Sequence, residues 1–308
     1  MMQGMPAVGR RRRRERRLEW PTLGLAFLIY AAFFLVTWYH ALIPVWLMLP
    51  VGAVLVTLYG SLQHEVIHGH PTGSRRLNDL IGMAPFHLWL PYRLYKKCHL
   101  RHHNNDRLTD PLDDPESYYV PRGGWSALSR PTRTVLFVNQ TLLGRLTVGV
   151  ALAVVGLWRA EVRRLVVRGD RRNLGLWVEH AVLVALLLAY VVGVAGMPLW
   201  EYVLCFAFAG TSVSMIRSFD EHRPAESIGG RCTIVEAGAF FRLLFFNNNY
   251  HALHHLHPGV AWYNLPDLYR RQREAILAWN EGFLRKGYGE IFRRYLWRRR
   301  DHPAHPYA

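Results

Sequence analysis

Residues 20–63 read WPTLGLAFLIYAAFFLVTWYHALIPVWLMLPVGAVLVTLYGSLQ, a run without one Asp, Glu, Lys or Arg. A helix needs roughly 20 apolar residues to cross the hydrocarbon core of a bilayer. The run is long enough for two spans, and Pro44 marks the turn between them. A cleaved signal peptide is not expected, because its apolar part would be much shorter and no small-residue cleavage site stands out. We expect an integral membrane protein that begins with a helical hairpin, with spans at about 21–39 and 45–63.

A second apolar pair follows at Gly175–Gly196 and Leu199–Phe219, and a Gly-Met-Pro segment lies between its halves. Each half is about long enough to span. Glu179 and Glu201 lie near the ends of these stretches, where an ionisable side chain is tolerated. At mid-membrane a charge costs on the order of 3 kcal/mol. We expect a second hairpin, with spans at about 176–196 and 199–219.

Positive charge is concentrated near both ends of the chain. The formal net charge is +16; Arg10–Arg17 is almost entirely Arg, and Arg293–Arg300 contains five more. Basic residues beside membrane segments mark the cytoplasmic side and attract anionic lipid. We therefore expect both termini in the cytoplasm, with membrane lipids and not nucleic acid as the partner of this charge.

Most of the 16 histidines fall into three clusters. Residues 64–70 read HEVIHGH, residues 99–103 read HLRHH, and residues 251–257 read HALHHLH. Residues at i, i+3 and i+4 share one face of a helix, so each trio can converge on one point. Imidazole binds iron, zinc and copper, and these histidines exceed what one tetrahedral ion can use. The sequence predicts two metal ions with the ligands His64, His68, His99, His102, His103, His251, His254 and His255.

A shared metal site also constrains the topology. With a cytoplasmic N-terminus, each hairpin returns the chain to the cytoplasm, at about His64 and Asp220, so all three clusters face one compartment. One further crossing by the apolar stretch Val135–Trp158 would separate them. That stretch contains Asn139 and Arg145, which are costly inside a bilayer. We expect it to form an interfacial or buried helix.

The boxes His64xxxHis68, His99xxHis102-His103 and His251xxHis254-His255 resemble those of integral-membrane fatty acid desaturases, a superfamily that includes alkane hydroxylases and carotenoid hydroxylases and ketolases. The resemblance covers about residues 20–270. It implies an all-α fold with two transmembrane hairpins, four spans and a cytoplasmic helical cap carrying a di-iron site. Residues 1–19 and 271–308 would be basic cytoplasmic tails. It also implies a ninth ligand, His222, in Glu221-His222 after the last span.

The resemblance further implies the chemistry. Two ferrous ions and O2 would desaturate an acyl chain of a lipid substrate in a membrane, here expected to be the bacterial inner membrane. No cytochrome, flavin or nicotinamide motif is recognisable, so an external ferredoxin or cytochrome would supply the electrons. The segment Trp262–Pro266 also resembles carotenoid ketolases. Hydroxylation or ketolation of a lipid, alkane or carotenoid therefore stays open.

Two alternatives come from other classes of protein. His64-Glu65-Val66-Ile67-His68 matches the HExxH motif of zinc proteases, in which the Glu activates a metal-bound water. An intramembrane zinc protease would leave both HxxHH clusters without a role. An inactive relative that binds lipid or a partner would not need intact boxes.

Polar residues near the boxes are candidates for orienting the ligands. Asp110, Asp113 and Asp114 follow the second box, and carboxylates commonly bond the second ring nitrogen of a metal-bound histidine. Asn247–Asn249 precede the third box and would bond a metal-bound water or cap a helix. His70, His87 and His257 lie off the pattern, so we expect supporting or packing roles for them.

Overall fold

The computed structural model describes residues 18–308, a range that is mostly helical. The predicted basic segment Arg10–Arg17 lies outside the described residues. The helices are α1 (Trp20–Trp38), α2 (Val45–Ile67), α3 (Arg75–Gly82), α4 (Tyr92–His103), α5 (Arg130–Asn139), α6 (Leu142–Val166), α7 (Leu174–Val194), α8 (Leu199–Ser218), α9 (Ala239–Leu244), α10 (His251–Leu256), α11 (Leu265–Trp279) and α12 (Tyr288–Tyr295). Strands β1 (Ile234–Val235) and β2 (Leu284–Arg285) pair in parallel.

Five of the described helices are long and apolar enough to cross a membrane: α1, α2, α6, α7 and α8. Four of these closely follow the predicted spans. The fifth, α6, falls in the apolar stretch that we expected not to span. Length and composition alone do not separate α6 from the other four.

The turn of the first hairpin lies at Pro44, as predicted. A short 3-10 turn, His40–Leu42, follows α1. The Pro44 carbonyl then accepts hydrogen bonds from the backbone N–H groups of Leu47 (2.8 Å) and Met48 (2.9 Å). Proline is favoured at a helix start because it has no N–H to leave unsatisfied. Pro44 therefore ends the turn and begins α2.

The second hairpin contains two wide turns of helix. Gly196 lies between α7 and α8 with φ of +75°, a backbone conformation that glycine adopts without steric cost. The end of α7 (Ala189–Val194) and the start of α8 (Tyr202–Phe208) are π-helical. Such turns are rare and often lie near functional sites.

The stretch Val135–Trp158 is not one helix. α5 ends at Asn139, and Thr141 caps the start of α6 by accepting a hydrogen bond from the Gly144 N–H (3.0 Å). Asn139 and Gln140, together with this cap, interrupt the helix, because capping side chains compete with the backbone hydrogen bonds of a continuing helix.

α6 contacts segments outside the two hairpins at two places. Near its start, the Leu143 N–H donates to the Leu296 carbonyl (3.1 Å). About two thirds of the way along the helix, Trp158 Nε1 donates to the carbonyl of Trp89, in the connection between α3 and α4 (3.2 Å). Along its length, Ser212 of α8 bonds the Leu146 carbonyl (2.6 Å).

The two hairpins meet closely along α2 and α8. A Cβ on Gly52 would lie 2.4 Å from the carbonyl oxygen of Cys205, and a Cβ on Gly210 would lie 2.4 Å from Val56 Cβ. Small residues let membrane helices approach backbone to backbone. Glycine at these two positions therefore sets the distance between the hairpins that carry the histidines.

Residues beyond α8 fold over one end of the hairpins. The parallel pair β1–β2 joins the segment before α9 to the segment after α11. Arg300 contacts Asp220 (3.5 Å) and Asp301 (2.9 Å), with its side chain only 3% exposed. The predicted tail at residues 271–308 thus contains structured elements, and its boundary at residue 270 lies inside α11.

We expect Gly52→Val to destabilise the fold by about 1–3 kcal/mol, because the added side chain meets a backbone carbonyl that cannot move aside. Gly156→Val is the matched control, since nothing lies within 4 Å of a Cβ on that helical glycine. Thermal unfolding in one detergent should show a lower midpoint for Gly52→Val only. Equal midpoints in the two variants would contradict the close approach.

Candidate metal centre

The histidine clusters lie at the ends of three helices and in one loop. His64 and His68 lie one turn apart at the end of α2, and the second cluster forms the last turns of α4. The third cluster forms α10. His222 follows α8 and is held by an antiparallel bridge to Cys232. The structure brings all nine predicted ligands together in two groups.

The first group contains five histidines whose nitrogen atoms lie within 4.8 Å of one another. His68 Nε2 lies 3.0 Å from His99 Nε2, and His103 Nε2 lies 3.1 Å from His254 Nε2. The members of this five-histidine set are His64, His68, His99, His103 and His254.

The second group contains four histidines under the same limit. The Nε2 atom of His222 lies 3.0 Å from that of His102 and 2.9 Å from that of His251. His255 Nε2 lies 3.1 Å from His251 Nε2. The members of this four-histidine set are His102, His222, His251 and His255.

These separations match the edges of a coordination shell. Metal–nitrogen bonds to histidine are about 2.0–2.1 Å, so two nitrogens at right angles around one ion lie about 3 Å apart. The Nε2 pairs of both sets lie at 2.9 to 3.1 Å. The nitrogen-only donor sets also suit imidazole-binding metals such as iron, zinc and copper. The residues therefore fit one ion in each set.

Helix geometry divides each HxxHH cluster between the two sets. Successive residues on a helix point about 100° apart, whereas residues at i and i+4 share a face. His99 and His103 accordingly join the five-histidine set, and His102 joins the other. We expected each trio to converge on one point, and that expectation is wrong. The rings of His103 and His255, from different sets, stack 4.2 Å apart, so the sets are adjacent.

Carboxylates orient two histidines of α4. His102 Nδ1 lies 2.8 Å from Asp114 Oδ1, and His99 Nδ1 lies 2.8 Å from Glu116 Oε1. Such bonds direct the other ring nitrogen toward a metal. Of the three acidic residues predicted for this role, only Asp114 makes such a contact. Asp113 pairs with Arg107.

Glu116 was missed by the sequence analysis, although it lies two residues after Asp114. Asp110 accepts a hydrogen bond from the Leu112 N–H within its own loop. The identity of the orienting carboxylates depends on how the loop after α4 folds back over that helix. Residue type and proximity in sequence do not determine this path.

Asn248 lies between the two sets. Its Nδ2 is 3.3 Å from His64 Nε2, and its Oδ1 is 3.3 Å from His251 Nδ1. Glu221 Oε1 also lies 3.2 Å from His251 Nδ1, and the same carboxylate oxygen pairs with Arg217. Asn248 is 2% exposed, so it bridges the sets out of contact with bulk water.

Burial keeps most of these imidazoles neutral. Burial, reinforced by His102, lowers the pKa of His222 to about 3, and burial with neighbouring His99 lowers the pKa of His68 to about 2. Neutral rings leave a nitrogen lone pair for a metal. Burial also disfavours charge on His102, but the carboxylates of Glu116 and Asp114 outweigh it and raise the pKa of His102 to about 9.

A separate polar group ties α1 to the end of α2. His70 Nδ1 lies 2.6 Å from Glu19 Oε1, and Glu65 lies within the same group. Glu65 Oε1 also accepts the Trp262 N–H (2.9 Å). The carboxylate of Glu65 is thus held by the Trp262 backbone and belongs to neither histidine set.

The geometry predicts that one ion is lost for each set disrupted. Purified protein should hold about two metal ions per chain, and His254→Ala or His102→Ala should each leave about one, because each removes a ligand from a different set. The double variant should hold about none. His302→Ala, an exposed histidine of the C-terminal region, is the control. Elemental analysis that finds both ions lost in His254→Ala would contradict two separable sets.

A sequence profile described as fatty acid desaturase matches residues 41–284, a range that contains all nine histidines. No curated protein sequence matches the chain at a significant level. The matched range covers most of the chain. It contains membrane-length helices and clustered histidines, which are the features of a desaturase-like membrane oxidoreductase. The chain belongs to the fatty acid desaturase family.

Proposed function

We propose that this protein is a di-iron membrane oxidoreductase that uses O2 and external electrons to desaturate an acyl chain. The observation that carries the proposal is the division of nine histidines into a five-histidine and a four-histidine set. When bound, two iron ions would supply the redox chemistry by which O2 removes two hydrogens from neighbouring carbons. Two external electrons and two protons complete the reduction of O2 to two waters.

The protein's own residues hold and shield the reaction. His99, His102, His251 and His254 are each no more than 3% exposed, so the ligands lie where bulk water is excluded. The pairs His99–Glu116 and His102–Asp114 fix the direction of two imidazoles. A rigid shell of this kind matters because small misplacements of reacting atoms slow a reaction severely.

The contacts of Glu65 favour this proposal over a zinc protease. In an HExxH protease the Glu acts on a metal-bound water, but here its carboxylate accepts the Trp262 N–H and neighbours His70. His64 and His68 share their set with three further histidines. A protease site would require neither the extra ligands nor the second set.

We also propose four spans, with the metal centre and both termini on the cytoplasmic side of a bacterial inner membrane. His103 and His222 belong to adjacent sets, so the chain between them crosses the membrane an even number of times. Of α6, α7 and α8, two span and one does not. The contacts of α6 with Leu296, near its start, and with Trp89, about two thirds of the way along it, support α6 as the interfacial helix.

Cysteine labelling tests this topology. Ala41→Cys lies in the turn of the first hairpin, and Arg168→Cys lies in the exposed connection after α6. We expect a membrane-impermeant thiol reagent to label Ala41→Cys in intact cells and Arg168→Cys only after the cytoplasmic side is opened. Labelling of Arg168→Cys in intact cells would place α6 across the membrane.

The external electron donor is proposed to be a ferredoxin or a cytochrome. Exposed arginines lie on the segments that flank the histidine helices, among them Arg101, Arg107 and Arg270. An acidic donor would be steered toward such a surface, and this attraction weakens as salt rises. These charges support a donor of negative surface charge.

The reaction itself is tested by its products. We expect cells that express the chain to accumulate acyl chains with one additional double bond, and His254→Ala to abolish this product because the five-histidine set loses a ligand. Lipid profiling by mass spectrometry separates the loss of two hydrogens from the gain of one oxygen. Products that are only hydroxylated or oxidised to ketones would replace desaturation with the oxygenase alternative.

A further inference from the structure

A cavity of about 180 Å³ lies between α2, α8 and the segment that leads into α4. Tyr95 lines it, and the ring of Tyr95 is 5.6 Å from the ring of His99. Arg217 also lines it and pairs with Glu221 (3.2 Å), which contacts His251. The cavity therefore reaches the residues that surround both histidine sets.

Three polar side chains of this cavity have already used their hydrogens. Two hydroxyls and one amide of the lining donate to backbone carbonyls, and their oxygen atoms accept no hydrogen bond from residues 18–308. These bonds run from Ser61 Oγ to Leu244 O (2.7 Å), from Ser214 Oγ to Gly210 O (2.8 Å), and from Gln63 Nε2 to Gly82 O (2.8 Å). This part of the wall consequently offers acceptors to whatever enters.

His87 adds an acceptor that its neighbours orient. The Thr211 hydroxyl donates to the Ala207 carbonyl (2.7 Å) and accepts Trp89 Nε1–H (2.9 Å). With its only hydrogen used, Thr211 Oγ1 can pair with His87 Nδ1 (3.2 Å) only by accepting a second N–H. The proton of His87 therefore lies on Nδ1, and Nε2 carries a free lone pair.

The lone pair of His87 lies beside Gly60 of α2, a residue without a side chain. A Cβ on Gly60 would lie 3.1 Å from His87 Nε2 and 3.7 Å from Ser214 Oγ, and all three residues line the cavity. Burial lowers the pKa of His87 to about 4, so the ring is neutral near pH 7. A neutral acceptor in a buried pocket requires a donor to offset its desolvation.

We infer that this cavity binds a hydroxyl group carried by an otherwise apolar chain, and that His87 Nε2 accepts the hydroxyl hydrogen. Trp89, Leu90 and Phe245 supply apolar lining for the chain. The inference rests on the proposed function, because it takes the cavity to hold part of the lipid substrate. It narrows the substrate class to hydroxylated long-chain lipids.

Binding of two matched probes tests the inference. Dodecan-1-ol offers a hydroxyl donor, whereas 1-methoxydodecane has the same chain and an oxygen that only accepts. We expect the wild-type protein to bind the alcohol about three- to tenfold more tightly, the ratio that one net hydrogen bond provides. Apparent Kd values come from thermal shifts of the full chain in one detergent.

Two variants identify the group responsible. His87→Leu removes the acceptor and should bring the ratio of the two Kd values to about one. Thr211→Val keeps His87 but removes the oxygen that fixes its proton on Nδ1, so the ratio should also fall. Thr147→Val is the matched control, because Thr147 likewise bonds an i−4 carbonyl, that of Leu143, but on an exposed face of α6. This control should keep the wild-type ratio.

The outcomes separate this inference from the proposed function. A wild-type ratio near one, or a ratio unchanged in both cavity variants, would overturn the hydroxyl site. Neither measurement requires bound iron or turnover. Two bound irons and an unsaturated product together with a ratio near one would therefore remove the hydroxyl site alone. A high ratio in protein that binds no iron when iron is supplied would keep the site and remove the proposed reaction.

Discussion

The pitch of the α-helix is the constraint on which this site depends. Residues four apart share a face and adjacent residues diverge by about 100°, so a His-His pair at a helix end must serve two positions. His102-His103 on α4 and His254-His255 on α10 each contribute one imidazole to each set. Two adjacent histidine sets are thereby built from two short helices, with α2 and His222 completing them. Burial keeps most of these rings neutral, and carboxylates that contact His99 and His102 of α4 fix the directions of those two rings.

The membrane helices serve this arrangement by bringing distant segments to one side. α2 delivers His64 and His68, and the chain after α8 delivers His222, so the two helices must lie side by side. Their approach at Gly52 and Gly210 leaves no room for a side chain. Because the histidines before and after α6, α7 and α8 meet, the count of crossings between them is even. α6 contacts Leu296 and Trp89, which lie in segments outside the two hairpins.

Much of this could be predicted from the sequence, for identifiable reasons. Apolar runs of membrane length predict the helical hairpins, and the spacing within the boxes predicts the clustered histidines, because both patterns are local. The interruption of α5 and α6 at Thr141 was missed, since a single capping hydroxyl outweighed an apolar pattern. Glu116 and the packing of Arg300 against Asp220 were also missed, because both depend on the folding of segments that are distant in sequence. The division of the trios was missed although helical pitch implies it.

The central claim is that two inequivalent metal sites exist, one with five and one with four histidine nitrogens. The most direct measurement is the Mössbauer spectrum of the iron-loaded, full-length protein in detergent. Unequal coordination should give two quadrupole doublets of equal area, since iron nuclei in different ligand fields absorb at different energies. A single doublet would contradict the partition of the nine histidines into unequal sets. A total area that corresponds to one iron per chain would contradict the proposed di-iron centre as well.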